Sequence, residues 1–115
     1  MKNNMTKKEF STEIKDRVRK IEDKMNIKSQ SFFAVFQDGM MDQTTLDNAI
    51  SELYEFYQDE EEYLVLRSEI YLGSQDSWIE IDFVQASKDN GRWSVKSLVV
   101  LYTDDGSEET VLADF

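Results

Sequence analysis

The first 25 residues carry apolar side chains at helical spacing. These side chains follow one another at intervals of three or four positions and are Phe10, Ile14, Val18, Ile21 and Met25. The spacing predicts an α-helix over residues 7–25 with one buried stripe and charged residues on its other faces. Thr6 is placed to cap this helix, and Glu9 at its third position completes a capping-box pattern.

A second helix is predicted to begin at Thr44, which can cap it, and to run to about residue 57. Its apolar positions again share one face and are Leu46, Ala49, Ile50, Leu53, Phe56 and Tyr57. Four consecutive acids, residues 59–62, follow this stripe. Because the C-terminal end of a helix dipole is negative, these acids should fray the last turn or end the helix early.

Strand patterns occupy most of the remaining sequence. A short aromatic and β-branched segment precedes the second helix, and alternation of apolar and polar residues begins after it. The predicted strands are residues 31–37, 64–72, 78–84, 93–102 and about 109–115. Asn90-Gly91 favours a type I′ hairpin between two of them, because that turn needs positive φ at both central residues.

A tight hairpin about residues 74–75 determines which side chains face each other across its strands. On the core face the predicted pairs are Ile70 with Ile79 and Leu66 with Phe83. On the other face they are Arg67 with Asp82 and Glu69 with Glu80. The last pair brings two like charges together, which costs a few tenths of a kcal/mol unless a cation lies between them.

The predicted order of elements is α-β-α-β-β-β-β, with the helices grouped ahead of a C-terminal meander. This order is typical of an α+β fold in which two helices pack on a mostly antiparallel sheet of four to five strands. The length of 115 residues suits one hydrophobic core. We therefore expect a single domain over residues 1–115, with residues 1–6 flexible ahead of the first helix.

The strand at 93–102 is apolar on both of its faces. Val95, Val99 and Leu101 share one face, and Leu98, Val100 and Tyr102 share the other. Monomeric proteins seldom leave such a patch open to water. Either the two helices take opposite faces of the sheet, or a second copy of the chain or a partner covers the second face.

The composition narrows the possible chemistry. The chain has no cysteine and no histidine, which excludes thiolate nucleophiles, Ser-His catalysis and imidazole or thiolate metal ligands. Oxygen ligands remain for Mg²⁺ or Ca²⁺, but no glycine loop has ligands at the EF-hand positions. We expect no cofactor, no metal and no catalytic residues. A carboxylate enzyme would need a cleft that raises the pKa of a Glu or Asp.

Charge is segregated along the chain, whose net charge is −11. Residues 1–28 hold nine cations and five acids, whereas the remaining 87 residues hold four cations and 19 acids. This acidic body repels polyanions and attracts basic surfaces, so no direct contact with nucleic acid is expected. No apolar run predicts a membrane span or a secretory signal, and we expect a cytoplasmic protein.

The candidate binding residues are acids at the end of the second helix and acids and rings on the outer face of the hairpin. They are Asp59, Glu60, Glu61, Glu62, Glu69, Tyr71, Trp78, Glu80 and Asp82. Val84 is predicted to share the outer face with the rings. Such acids resemble the phosphates of nucleic acid, and Trp and Tyr supply anchoring area in protein interfaces. As an alternative, the acids form only a solvated face.

These features favour a small acidic protein-binding module that occludes a basic surface on a protein partner. Immunity proteins, antitoxins and phage anti-defence or nucleic-acid-mimic proteins act in this way. The alternative hypothesis is a structural or assembly protein that forms a homodimer through the strand at 93–102. The basic first helix is interpreted as an ordinary packed helix whose charges pair locally or face the acidic body.

Overall fold

Two helices and a six-stranded antiparallel sheet form the fold in this computed structural model, which describes residues 5–59, 62–73, 76–103 and 109–114. The helices are α1 (Lys7–Met25) and α2 (Leu46–Gln58). The strands are β1 (Phe33–Phe36), β2 (Gly39–Met40), β3 (Tyr63–Leu72), β4 (Ser77–Asp89), β5 (Arg92–Thr103) and β6 (Glu109–Asp114). Their order in the sheet is β2-β1-β3-β4-β5-β6. The predicted α+β class is confirmed, with slightly more strands than the four to five expected.

The additional strand is β2, which sequence reasoning missed. It has two residues and pairs with the end of β1, with Met40 opposite Val35 and Gly39 opposite Phe36. A two-residue strand is too short to show a period of two. The chain folds back on itself between Phe36 and Gly39, which face each other.

α1 begins with the predicted capping box. The Thr6 hydroxyl accepts a hydrogen bond from the Glu9 backbone N–H at 3.2 Å, and the Glu9 carboxylate accepts one from the Thr6 backbone N–H at 3.0 Å. Met5 lies in the segment that was expected to be flexible, yet its side chain is buried in the core. Its backbone N–H donates to the Tyr57 hydroxyl at 3.2 Å, and its carbonyl accepts from the Tyr54 hydroxyl at 2.8 Å.

α2 begins one residue later than predicted. Thr45 is the cap, and its hydroxyl accepts from the Asn48 backbone N–H at 3.2 Å. The Thr44 hydroxyl instead accepts a hydrogen bond from the Asn48 side-chain amide, and the Thr44 backbone exchanges hydrogen bonds with the Phe32 backbone. The helix ends at Gln58, ahead of the acids at 59–62, as the unfavourable dipole interaction predicts.

Both helices pack on the same face of the sheet. α2 lies against β1 and β3, and α1 lies against β4. We call this side the covered face. Its largest fully buried side chains, together with those of the helices, are Phe10, Ile14, Ile50, Leu53, Leu64, Leu66, Ile81, Phe83 and Val99. The opposite side, which no helix of the described residues covers, is the helix-free face.

A bulge in β4 changes one predicted pair. Ile70 faces Ile79, Arg67 faces Asp82 and Glu69 faces Glu80, as predicted. Leu66 faces Val84, however, so the predicted pairing of Leu66 with Phe83 is wrong. Phe83 is the extra residue of the bulge, which turns two consecutive apolar residues toward the helices. Val84 is therefore buried on the covered face and does not share the outer face with the rings.

The predicted β4–β5 hairpin is confirmed. Asn90 has φ 51° and Gly91 has φ 76°, the two positive values that a type I′ turn requires. Asp89 faces Arg92 at the end of the ladder. The hairpin fixes β5 beside β4, so that the apolar strand has one face under the helix layer and the other on the helix-free face.

Candidate protein-docking face

Three strands arrange the predicted outer-face residues in rows across the helix-free face. The rows follow from the registers of β3 with β4 and of β4 with β5. They are Tyr71, Trp78 and Tyr102; Glu69, Glu80 and Val100; and Arg67, Asp82 and Leu98. We call these nine residues the three-row surface. Five of the predicted site residues belong to it.

Arg67 is the centre of the polar part of this surface. Its Nε donates to Asp82 Oδ1 at 2.6 Å and its Nη2 donates to Asp82 Oδ2 at 3.1 Å, which is a bidentate pair. The same Nε lies 3.5 Å from Glu80 Oε1. Its hydrogen bonds to Asp82 raise the pKa of Arg67, so the guanidinium stays charged. One cation therefore holds two carboxylates of the same chain.

Asp82 is a positioning residue and not a contact residue. It is 3% exposed and accepts a further hydrogen bond from the Gln85 side chain. Because its oxygens are already paired and buried, it is not available to bind a partner directly. We correct the predicted role of Asp82 on this ground: it orients Arg67 beneath the surface.

Glu80 is half-buried beside Arg67. Burial raises the pKa of its carboxyl above the usual value of 4.5, and the neighbouring acid charges act in the same direction. The Arg67 charge and a hydrogen bond from Tyr102 lower that pKa but do not cancel the effect of burial. The Arg67 cation thus reduces the cross-strand repulsion expected between Glu69 and Glu80.

Glu69 is the acid of this surface that remains available. Its side chain is exposed, and no ion pair or hydrogen bond joins it to another residue in the described part of the chain. It neighbours Tyr71 along β3 and Glu80 across the strand pair. A cation brought by a partner can therefore pair with Glu69 without displacing an internal contact.

The aromatic row lies at one end of the three-row surface and consists of Tyr71, Trp78 and Tyr102. Trp78 stacks on Tyr102 with ring centroids 6.0 Å apart and an angle of 19° between the planes. Tyr71 faces Trp78 across the strands and is 64% exposed, while its hydroxyl donates to Asp76 at 3.0 Å. These rings offer apolar area with polar tips, a combination that is enriched at protein interfaces.

The acids at 59–62 do not belong to this surface. Asp59 and Glu62 are exposed at the end of α2 and the start of β3, and Glu60 and Glu61 lie outside the described residues. Glu62 and Glu69 are seven positions apart along an extended strand, a distance of about 23 Å. The acids at the end of α2 and the acids of the hairpin therefore form two separate groups.

Sequence reasoning missed two features of the helix-free face. Phe33, Val65 and Val100 are buried there without a helix above them. Phe33 lies opposite Arg67 in the register of β1 with β3, so the long arginine side chain is a neighbour of this apolar group. Tyr102 was assigned only to a two-sided apolar strand, although its register opposite Trp78 was open to prediction from the Asn90-Gly91 turn.

The described residues contain no group of three or more potential ligands that could hold a metal ion. None of the described helices combines the length and apolar character that crossing a membrane requires. Comparisons of the chain with protein-family models, with curated proteins and with solved structures found no match. The case for a function therefore depends on the geometry of the three-row surface.

Proposed function

We propose that this chain is a protein-binding module that docks a partner with a basic surface on the three-row surface. The observation that carries the proposal is the aromatic row beside Glu69, in which Tyr71 is exposed and Trp78 and Tyr102 are partly exposed, on a face that no described helix covers. Binding would occlude the partner's basic surface, in the manner of immunity proteins, antitoxins and anti-defence proteins. The proposal includes a cytoplasmic location and no catalytic chemistry.

In the proposed complex, the rings and the charges have different roles in binding. Tyr71 and Trp78 supply the apolar area, since buried aromatic anchors contribute most of the energy in many interfaces. Arginine side chains of a partner can stack on these rings and pair with Glu69. Arg67 and the three acids around it sum to a charge of −2, so the surface attracts a basic partner without excessive internal repulsion.

Long-range charge supports the same partner class. Residues 29–115 carry a net charge of −15, which accelerates encounters with basic surfaces and slows encounters with nucleic acid. At physiological salt, dissolved ions screen this attraction at distances beyond about 8 Å. The rate of association is therefore expected to fall when salt is added, while the contacts of the aromatic row persist.

Capture with matched variants tests the proposal. The immobilised chain is compared with a Glu69→Lys/Tyr71→Ala variant and with an Asp59→Lys/Glu62→Lys control, which changes charge at the other end of β3. A partner identified by mass spectrometry should be lost with the first variant, retained by the control, and captured in smaller amounts when salt is added. Capture that ignores ionic strength, or that only the control abolishes, would contradict the proposal.

Self-association remains a second candidate because β6 exposes apolar side chains beside the same face. Val111 is 54% exposed and faces Val100, and Leu112 next to it is also exposed. If these side chains mediate a homodimer, Val111→Lys should weaken it in light-scattering measurements. A strict monomer over a wide concentration range would remove this candidate.

A further inference from the structure

A groove of about 590 Å³ lies between α1 and the sheet, on the covered face and away from the three-row surface. Its apolar floor includes Val84 and Val95, and its rim on α1 includes Arg17 and Lys20. The volume is in the range of ligand-binding clefts. The groove thus has a different sign of charge at its rim from the acidic helix-free face.

Arg17 is held in place by the bulge of β4. Its Nη1 donates to the Ser97 hydroxyl at 2.8 Å, and that hydroxyl donates to the Phe83 carbonyl at 2.6 Å. Ser97 is fully buried, so this connection is shielded from water. Within the described residues, Arg17 has no carboxylate partner, although the chain contains 24 acids. The guanidinium is therefore oriented at the groove with donors left for an anion.

The edge of β5 beside this groove is open. β6 pairs with β5 from Leu98 to Tyr102, so residues 92–97 have no strand neighbour on that side within the described residues. Val95 and Ser97 belong to this open segment and also line the groove. A strand added there would continue the line of β6, beside the groove that Arg17 and Lys20 line.

We propose that the β5 edge at residues 92–97 takes up an extended acidic peptide of a partner protein as an added strand. Backbone hydrogen bonds to β5 would hold the peptide, and alternate carboxylates would pair with Arg17 and Lys20. This site goes beyond the proposed function, since it lies on another face and takes the opposite charge.

The groove lining has three cations, Arg17, Lys20 and Lys24, and two acids, Glu13 and Asp16, so a net positive charge remains. Asp16 is already paired with Arg19, whose Nη2 lies 2.9 Å from Asp16 Oδ1. Glu13 is exposed and lies one helical turn before Arg17 on the rim. A small anion needs only the guanidinium, but an acidic strand uses the guanidinium and the open edge together, which favours the peptide.

A short labelled peptide of alternating glutamate and valine is the probe, and fluorescence anisotropy is the measurement. Successive N–H groups of a strand point to opposite sides, so only one half of them can bond to β5. We compare the peptide with two versions that are N-methylated at all glutamates or at all valines. The plain peptide should bind, and one methylated version should lose binding while the other retains it.

Variants of α1 locate the bound peptide. Arg17→Gln should weaken binding roughly tenfold, because hydrogen bonds to charged groups contribute more than neutral ones. Lys20→Gln, an exposed position, should weaken it less and serves as a second test if Arg17→Gln unfolds. Lys15→Gln is the matched control, since Lys15 pairs with Asp47 on the other flank of the helix at 2.8 Å.

Four results would overturn the proposal. They are no binding of the plain peptide, equal binding of both methylated versions, equal losses in Arg17→Gln and Lys15→Gln, and equal binding of a lysine-valine peptide. Equal binding of both methylated versions would show that the groove captures anions through side chains alone.

Discussion

The two faces of the sheet stabilise the molecule in different ways. The covered face buries Phe83 and Ile81 under two helices. Without a helix above it, the helix-free face buries Val65 and Asp82, the latter paired with a partly exposed Arg67, yet it leaves Tyr71 64% exposed. The helices therefore close the core on one side, while the other side keeps rings and charges that the core does not require.

If the exposed residues of the three-row surface serve a partner, replacing them should leave the free energy of unfolding almost unchanged. Replacing residues of the covered face should instead lower the free energy of unfolding.

Phe83→Ala should give the largest loss of stability. The ring is fully buried at the bulge and packs against Phe32 with centroids 5.6 Å apart. Its removal leaves a cavity and should lower the free energy of unfolding by about 3–5 kcal/mol in urea denaturation. Tyr71→Ala, the control on the other face, should change it by less than about 0.5 kcal/mol. Equal losses would show that both faces are core.

Arg67→Met should lower stability by about 2–3 kcal/mol, because it leaves the buried Asp82 carboxylate without its cation. The loss is smaller than for a fully buried pair, since the Arg67 side chain is 21% exposed and solvent screens it. The double variant Arg67→Met/Asp82→Leu should recover most of the loss. A single variant as stable as the natural chain would contradict the assigned role of the pair.

Glu80→Gln should stabilise the chain slightly at neutral pH. Burial raises the pKa of Glu80, so the folded chain holds this proton more tightly than the unfolded chain. The stability that Glu80 contributes is therefore fully present below pH 4.5, the ordinary pKa of the group, and is lost as the pH rises through the pKa of Glu80 in the folded chain. Urea midpoints of the two chains should converge in acid and separate at neutral pH. Glu69→Gln, at an exposed position, should not show this pattern.

Caesium and iodide ions should quench the fluorescence of the two tryptophans to different extents. Trp78 lies beside the acids of the three-row surface, whereas the Lys88 ammonium lies 5.9 Å from the Trp93 ring. The ratio of caesium to iodide quenching should be about twofold higher in Trp93→Phe, which retains Trp78, than in Trp78→Phe. Equal ratios would mean that the surface has no local negative potential.

Local patterns in the sequence predicted much of the fold. The capping box at Thr6 and Glu9, the turn at Asn90-Gly91 and the cross-strand pair of Arg67 with Asp82 depend on near neighbours, and all three are confirmed. The bulge at Phe83 depends on helices that pack from a distance. Alternation alone therefore placed Val84 on the wrong face.

The candidate site was less predictable than the fold. Glu62 and Glu69 are close in sequence, but an extended strand carries them about 23 Å apart. The pairing of Arg67 with Asp82 was predicted, whereas the burial of Asp82 follows from packing around Arg67 that no periodicity shows. Charge counts along a chain do not reveal which acids are already neutralised.

The most direct test of the docking face is an NMR titration of the chain with a short arginine peptide, beside a lysine peptide of equal charge. Arginine stacks on rings and lysine does so less well. We expect the arginine peptide to shift the resonances of Glu69, Tyr71 and Trp78 most. Shifts centred on Asp59 and Glu62 with both peptides, or spread evenly over the surface, would contradict it.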